Sequence, residues 1–278
     1  GVVAGAVTVD HGLQGGSQDR AATVAGVLRG LGLDPVTVAT VIVDGPGGPE
    51  AAARRARYAA LESVHTERGG WVALGHTLDD QAETVLLGLA RGSGPRSLAG
   101  MVPARFPWLR PLLAVRRVTT RAACAADGLP IWDDPHNSDP AYTRVRIRHE
   151  LLPLMEDVLN GGVAGALART AGLLREDCDA LDEIAAELAL DRLRETSPDV
   201  AVFAGLATAL RRRLLRRWLS DVSEISAAQL TAVDALLIDW HGQQAVALPG
   251  GWEVRRVSGR LHLHMHPPPS RETPRVRR

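Results

Sequence analysis

The hydrophobic and polar positions of this chain change their period about halfway along it. In the first half, three apolar runs have the length and β-branched content of buried strands, and two helical patterns separate them. The apolar runs cover 2–9, 36–43 and 71–74, and the helical patterns cover about 17–31 and 49–66. Strands that alternate with helices predict a parallel sheet covered on both faces. Because ligands bind at the carboxyl ends of such strands, residues just after Val9 and Leu74 are the first candidates for a site.

After Pro153 the pattern becomes mostly helical. Amphipathic helices are predicted at about 163–195, 204–220 and 226–240. Short β-like runs follow at 245–248, 252–257 and 260–266, separated by Gly-containing turns, and they predict a small hairpin. The last residues, PPPSRETPRVRR, are typical of a disordered basic tail. We therefore expect an α/β domain over 1–152, a helical domain over 153–266 and a tail over 267–278.

Composition narrows the function classes only a little. The 32 basic and 32 acidic residues cancel, and all the basic ones are arginine because the sequence contains no lysine. No apolar stretch is long enough for a membrane span and no leader is recognisable, so we expect a soluble, cytoplasmic protein without a membrane partner. Cys124 and Cys178 form no CxxC pair, which argues against a disulfide framework or a redox motif.

The stretch GHTLDDQAET at 75–84 carries the densest set of polar groups, directly after an apolar run. Thr77 and Asp80 have the spacing of a helix capping box, which explains both residues without any function. Capping requires neither His76 nor Glu83. Two carboxylates and an imidazole at a strand-to-helix turn can hold a cationic amine or a magnesium ion, so this stretch is the candidate site.

Five sequence blocks, taken together, resemble the tRNA(Ile)-lysidine synthases, which are PP-loop ATP pyrophosphatases. The blocks are VDHGLQ at 9–14, EAAARRARYAAL at 50–61, LGHTLDDQAETVLLGLARGSG at 74–94, RPLL at 110–113 and DDPHNSDPAYTRVRIRHELLP at 133–153. Each is weak alone, but their order and spacing are specific, and the resemblance covers almost the whole chain. It implies a Rossmann-like parallel sheet of the adenine-nucleotide alpha-hydrolase type, followed by a mostly helical, tRNA-binding domain with a small C-terminal β-hairpin.

The resemblance implies a reaction and its cofactors. ATP and Mg²⁺ would adenylate C2 of the wobble cytidine of tRNA(Ile) with a CAU anticodon, and the ε-amine of L-lysine would displace AMP to form lysidine. Asp80 and Glu83 match the family's lysine-holding acids, with His76 and Arg54 as their neighbours. Asp10, His11 and Gly75, at strand ends, are expected to line the nucleotide pocket.

Two arginine clusters are candidates for tRNA contact, with solvated surface arginines as the alternative in both. Arg144, Arg146 and Arg148 alternate, which in a strand would place them on one face, although the residues that follow look helical. In RRRLLRRWL, Arg212 and Arg216 lie opposite an apolar helix face, which an amphipathic helix explains equally well. The family usually has Asn where Val145 stands. His262, His264 and His266 alternate along the last run but lack acidic or Cys partners, so we do not expect a metal site there.

One family motif is absent from this sequence. The S-G-G-x-D-S loop, which holds the ATP phosphates after the first strand, should precede Gly1. We therefore expect the sequence to be truncated at its N-terminus, with the first strand and PP-loop missing; a non-catalytic tRNA-binding remnant is the alternative if the chain is complete. The missing CxxC argues against tRNA thiolation. The sequence leaves open whether the protein forms a homodimer.

Overall fold

The computed structural model describes residues 4–45, 48–193, 195–222 and 225–265. By their contacts, the residues form two compact units. The first consists of Gly1–Leu87 with Gly100–Arg169, and the second of Gly88–Ala99 with Thr170–Arg278. The predicted tail at 267–278 and His266, the last of the three alternating histidines, lie outside the described residues.

The strands and helices follow the predicted order. Up to residue 126 the elements are β1 (Ala6–Asp10), α1 (Ser17–Gly30), β2 (Val36–Thr40), α2 (Gly48–Arg68), β3 (Val72–Ala73), α3 (Leu78–Ala90), α4 (Pro95–Leu98), β4 (Ala104–Arg105), β5 (Trp108–Leu109) and α5 (Arg117–Ala126). They continue with α6 (Thr143–Arg146), α7 (Leu152–Val158), α8 (Val163–Arg192), α9 (Thr208–Trp218), α10 (Ala227–Ile238), β6 (Val246–Ala247), β7 (Trp252–Val257) and β8 (Arg260–Met265). A π-helical turn at Ile147–Leu151 joins α6 to α7.

The strands of the first unit pair in two groups. β1 and β2 are parallel, with Ala6 opposite Val36 and Asp10 opposite Thr40, and α1 connects them. Among the described residues, β3 does not pair with β1 or β2; it lies parallel to β5, and β4 pairs antiparallel with β5. The predicted α/β class is confirmed, but the single parallel sheet appears here as two groups. β4 and β5 have two residues each, too short for a periodic signal.

Helix α3 joins the candidate site to the core of the first unit. One face of α3 is buried against the π-helical turn, α7 and the start of α8. The fully or nearly buried members of this cluster are Ala82, Leu86, Ile147, Leu152, Val163 and Ala164. Leu89, near the end of α3, is 60% exposed. Because α7 and the start of α8 pack on α3, the first unit extends to Arg169, past the predicted domain boundary at 152, which stays a prediction.

The second unit has a separate core between α9, α10 and the C-terminal sheet. β6, β7 and β8 form an antiparallel sheet in that order, which confirms the predicted hairpin and its first, shorter run. Its buried side chains include Phe203, Leu214, Leu215, Val233, Val254 and Leu261. Ser226 and Gln229 form a capping box at the start of α10. In the described part of the chain, no helix combines the length and the apolar character needed to cross a bilayer.

Candidate active site

A cleft of about 700 Å³ opens at the carboxyl ends of β1 and β3. This is where a parallel α/β arrangement is expected to bind a ligand. The predicted site residues that line it are His11, Arg54, Gly75, His76, Asp80, Arg144 and Arg148. These residues come from four separate stretches of the sequence, so the fold collects most of the predicted site into one cavity.

The predicted capping box at the start of α3 is confirmed, and it fixes one oxygen of Asp80. Thr77 donates to Oδ2 of Asp80 from its backbone N–H and from its hydroxyl, both at 2.7 Å. In return, the backbone N–H of Asp80 donates to Oγ1 of Thr77 at 3.4 Å. The carboxylate therefore has a defined orientation before any ligand enters.

Glu83, one turn further along α3, is completely buried and ion-paired. Arg148 donates to it through Nε at 2.7 Å and through a terminal nitrogen at 3.1 Å. Arg117 and Arg144 approach the same carboxylate at 3.5 and 3.9 Å. Burying a carboxylate is costly unless it is paired and hydrogen-bonded in this way. Glu83 does not itself line the cleft; Arg144 and Arg148 do.

Asp80 shares these arginine partners. Its Oδ1 accepts from Arg117 at 2.6 Å and from Arg148 at 3.4 Å. Burial raises the pKa of the Asp80 carboxyl, but the Thr77 N–H and the charge of Arg117 outweigh burial and hold it below its ordinary value. Burial likewise opposes the charge of Arg148, while the hydrogen bonds with Glu83 raise its pKa. Both carboxylates are therefore matched to guanidinium groups from elsewhere in the chain.

Arg117 was missing from the candidates chosen from the sequence. It is the first residue of α5, and its backbone N–H donates to Oδ2 of Asp79 at 2.7 Å. Arg116 also pairs with Asp79, at 3.1 Å. The acidic first turn of α3 thus anchors the start of α5 as well as completing its own cap. The only sequence signal was the pair Arg116-Arg117 shortly after the RPLL block, which by itself indicates no partner.

His76 faces the cleft as a neutral imidazole. Burial lowers the pKa of His76 to about 4, against the opposing charge of Asp80. Several buried polar atoms near it have no hydrogen-bond partner among the described residues: Nδ1 of His11 and of His76, and Nε of Arg110 and of Arg144. Of these residues, His11, His76 and Arg144 line the cleft.

The basic wall of the cleft comes mainly from α2. Arg54, Arg57 and Tyr58 line it, and a terminal nitrogen of Arg54 donates to the Tyr58 hydroxyl at 3.3 Å. The Arg54 guanidinium also lies 4.8 Å from the centre of the Tyr58 ring. Guanidinium groups suit phosphate oxygens. The side chain of Glu50, in the same sequence block, lies outside the described residues.

A loop from the DDPHNSD block closes another side of the cleft. The Gln14 side-chain amide donates to Oδ1 of Asp134 at 2.7 Å and contacts Nδ1 of His136 at 2.8 Å. The imidazole of His136 meets the Tyr142 ring edge to face. Asp134, His136 and Tyr142 all line the cleft. The sequence gives no signal for Asp134 and His136, because their contacts with Gln14 span more than a hundred residues.

The alternating arginines do not share a face. Residues 143–146 are α-helical and continue into the π-helical turn, so the strand geometry considered for them is wrong. Arg144 and Arg148 point into the cleft, whereas Arg146 pairs with Glu150 at 2.9 Å. Arg146 lies outside the cleft lining. Val145, which replaces the family's usual Asn, is buried.

The remaining predicted residues also lie outside the cleft lining. Asp10 is buried, and its Oδ1 accepts from the Gly12 N–H at 3.0 Å, which shapes the turn after β1. Hydrogen bonds from Ser17 and from Gly12 lower the pKa of Asp10. In the second unit, Arg212 donates to Asp234 at 3.0 Å and Arg216 is exposed on α9. The predicted ligand contacts of these residues stay predictions.

No metal cluster is found in the part of the chain that the structure describes. His262 and His264 are stacked on each other, and Nδ1 of His262 is 3.1 Å from the Ser197 hydroxyl. Cys124 and Cys178 are both free thiols.

Two family models match the chain. One, described as a PP-loop domain, matches residues 1–155. The other, described as a TilS substrate binding domain, matches residues 199–262. The first covers more than half of the chain, and the second falls within its second compact unit.

Curated relatives agree with both matches. A tRNA(Ile)-lysidine synthase from Rhodococcus erythropolis is 54% identical over 258 residues, which are 92% of this chain and 79% of the relative. One from Thermobifida fusca is 52% identical over 267 residues, or 94% and 82% of the two chains. Among solved structures, the U34-tRNA thiolase NcsA from Methanococcus maripaludis matches with a TM-score of 0.50 and 18% identity over 61% of each chain. At that identity the last match shows similarity of fold alone.

Proposed function

Because this chain belongs to the tRNA(Ile)-lysidine synthase family of PP-loop enzymes, we propose that it joins L-lysine to C2 of the wobble cytidine of tRNA(Ile) with a CAU anticodon. The reaction has two chemical steps, and ATP is consumed in the first. Adenylation of the C2 oxygen releases pyrophosphate and creates a good leaving group, and the ε-amine of lysine then displaces AMP. The products are lysidine, AMP and pyrophosphate.

The observation that carries the proposal is the cleft at the strand ends, in which the carboxylate of Asp80 and a basic wall face one cavity. A cationic substrate and a polyphosphate must be brought together for this reaction, and carboxylates and guanidinium groups recognise these two chemistries. Asp10, His11 and Gly75, at the ends of the two strands, are assigned to the nucleotide, and Arg54 to the neighbourhood of the acids. Mg²⁺ would offset the phosphate charge, held largely by ATP itself.

Asp80, Glu83 and His76 are assigned to the lysine side of the cleft. Neutral His76 adds no repulsion to an incoming amine, because its pKa of about 4 keeps it uncharged at neutral pH. Asp80 presents its carboxylate at the cleft, and the buried Glu83 fixes Arg148 beside it. The arrangement supports binding of lysine next to the nucleotide.

The tRNA is assigned to arginines of both units. Arg144 and Arg148 line the cleft in which the wobble base would react, and Arg146 is exposed nearby. In the second unit, Arg216 is exposed, whereas Arg212 is partly held by Asp234. Guanidinium groups that contact RNA phosphates give an affinity that falls steeply with salt.

The test is incorporation of labelled lysine into tRNA(Ile) with a CAU anticodon, in the presence of ATP and Mg²⁺. We expect Glu83→Gln and Asp80→Asn to slow lysine transfer by roughly a hundredfold or more, as loss of a preorganised charged group typically does. Binding of the tRNA should change little. Glu187→Gln, an exposed glutamate of α8, is the matched control and should transfer lysine at the normal rate.

Two results would contradict the proposal in different ways. If the unmodified protein forms no lysidine under any of these conditions, the function itself is wrong. If it forms lysidine and both acid variants keep full activity, the function stands and the site assignment is wrong.

A further inference from the structure

The proposed reaction requires the ε-amine of lysine to be neutral, and the acid pair alone does not favour that form. Only the neutral ε-amine has the lone pair needed to attack C2, yet the amine has an ordinary pKa of about 10.4 and is almost fully protonated at pH 7. Neighbouring carboxylates stabilise the charged ammonium and would raise that pKa further. An enzyme that attacks with lysine therefore needs a device that limits the negative charge felt by the amine.

The hydrogen bonds of Asp80 provide the first part of such a device. A carboxylate has about four acceptor positions. On Asp80 the N–H and hydroxyl of Thr77 occupy Oδ2, while Arg117 and Arg148 occupy Oδ1. The charge of Asp80 is thus already shared among four donors.

Arginines also outnumber the acids. Two carboxylates, Asp80 and Glu83, lie within 4 Å of three guanidinium groups, which belong to Arg117, Arg144 and Arg148. The surplus positive charge disfavours an ammonium and favours a neutral amine in the same place. Lysines are activated in this way beside other cationic groups.

Arg117 differs from the other two arginines in its position. Arg144 and Arg148 line the cleft, but Arg117 does not, and it reaches both acids at 2.6 and 3.5 Å. Among the described residues, its guanidinium makes no other hydrogen bond or ion pair, and its backbone N–H is fixed by Asp79. Arg117 therefore affects a ligand in the cleft through its charge and its pairing with the two carboxylates, and not by direct contact.

We propose that Arg117 is a positioning residue that compensates the charge of Asp80 and Glu83, so that the bound ε-amine of lysine is present in its neutral, nucleophilic form. The inference rests on the proposed function. The ammonium releases one proton to solvent as it binds. Its lone pair then forms the C2–N bond while the C2–O bond to the adenylate breaks, and the electron pair leaves with AMP.

Other charged or titratable groups face the same region, and the pH dependence of transfer belongs to the whole set. They are His11 after β1, Arg54, Arg57 and Tyr58 from α2, His76 after β3, Asp79 from α3, Arg110 and Arg116 before α5, Asp134, His136 and Tyr142 from the loop, and Arg144 and Arg148. Of the three guanidinium groups that pair with the acids, that of Arg117 can be changed without altering the lining of the cleft.

The kinetic test compares the pH profile of single-turnover lysine transfer in the normal protein, Arg117→Gln and Arg117→Lys. With Gln, the midpoint of the alkaline rise should move up by about one pH unit, so that transfer at pH values below the midpoint slows roughly tenfold and recovers at higher pH. The KM for lysine should fall or stay constant. Arg117→Lys keeps the charge and should restore the normal profile. Arg121→Gln, on the same helix and paired with Asp133, is the control and should change nothing.

The second measurement does not depend on turnover. Calorimetric binding of lysine, in buffers with different ionisation enthalpies, counts the protons released per lysine bound. The normal protein and Arg117→Lys should release close to one proton, and Arg117→Gln clearly fewer.

The other possible results show whether the inference alone fails or the proposed function fails with it. A uniform loss of rate in Arg117→Gln, with no shift of the profile and unchanged proton release, would mean that Arg117 only supports the fold. Lysine binding without proton release in the normal protein would overturn the inference while leaving the proposed function intact. If the normal protein neither binds lysine nor forms lysidine, the proposed function and the inference fail together.

Discussion

At the scale of one residue, Glu83 shows how a carboxylate is accommodated on a buried helix face. The side chain is fully buried, yet Arg148 binds both of its oxygens. Burying an ion is costly unless a partner and additional hydrogen bonds compensate it. Glu83 is thus part of the core of the unit and part of the candidate site at the same time.

His76 gives a pH-dependent prediction at the same scale. Its pKa of about 4 in the folded chain lies below the ordinary value of 6.5, and burial is the main cause. As the pH falls from 6.5 towards 4, the unfolded chain takes up a proton that the folded chain does not, so the free energy of unfolding should decrease. His76→Asn should reduce this decrease by up to about 2–3 kcal/mol at pH 4.

The measurement for His76 is urea unfolding of both proteins at several pH values between 4 and 7.5. Well above pH 6.5 the imidazole is neutral in both the folded and the unfolded chain. The difference in the free energy of unfolding between the two proteins at that pH therefore measures any packing effect of the substitution. Curves for the two proteins that stay parallel down to pH 4 would show that burial does not suppress protonation of His76.

At the scale of elements, helix α3 positions residues of the candidate site, whereas α9 and α10 are joined by a buried ion pair. Helix α3 carries the capping box and both acids on one side and core residues on another. In the second unit, Arg211 of α9 donates to Asp234 of α10 at 2.6 Å, and both side chains are almost completely buried. Burial raises the pKa of Asp234, but the hydrogen bonds from Arg211 and Arg212 keep it low.

Breaking the pair between α9 and α10 should destabilise the second unit strongly. Asp234→Ala leaves the Arg211 guanidinium buried without its partner, and such a loss costs about 3–5 kcal/mol. Chemical denaturation followed by circular dichroism measures the change. Asp239→Ala, at the exposed end of α10, is the control. An equally stable Asp234→Ala variant would contradict the buried pair.

At the scale of the whole molecule, the balance of charge matters more than its sum. The formal net charge is zero at pH 7, so no long-range attraction to RNA is expected from the total charge. Local arginine clusters must supply any affinity for tRNA phosphates. Some of these arginines are already paired within the protein, so the count of arginines overstates the number available to RNA.

Arg216 and Arg212 allow an exposed arginine to be compared with one that is paired within the protein. We expect Arg216→Ala to weaken tRNA binding and to reduce the slope of log affinity against log salt by about 0.7 to 1, the contribution of one phosphate contact. Arg212→Ala should change the slope less, because Asp234 already holds that guanidinium. Filter binding across a salt series measures both. Equal slopes for the normal protein and Arg216→Ala would remove Arg216 from the interface.

The sequence by itself determined the features that depend on short-range patterns. The order of strands and helices, the α/β class, the capping box of Thr77 and Asp80 and the C-terminal hairpin all follow from periodicity and local hydrogen bonding. The family followed from the order of five motifs, and the two family models and the relatives confirm it. Such signals involve neighbours along the chain, so they survive without knowledge of the fold.

Only the tertiary structure decided which side chains meet. Arg148 reaches Glu83 across 65 residues, and Gln14 reaches Asp134 across 120. Sequence spacing grouped Arg146 with Arg144 and Arg148, but a helical turn directs it away from the cleft. Arg117 gave no signal because its role depends on acids from another helix. Ion pairs depend on distances of a few ångströms between remote segments, and those distances exist only after the chain has folded.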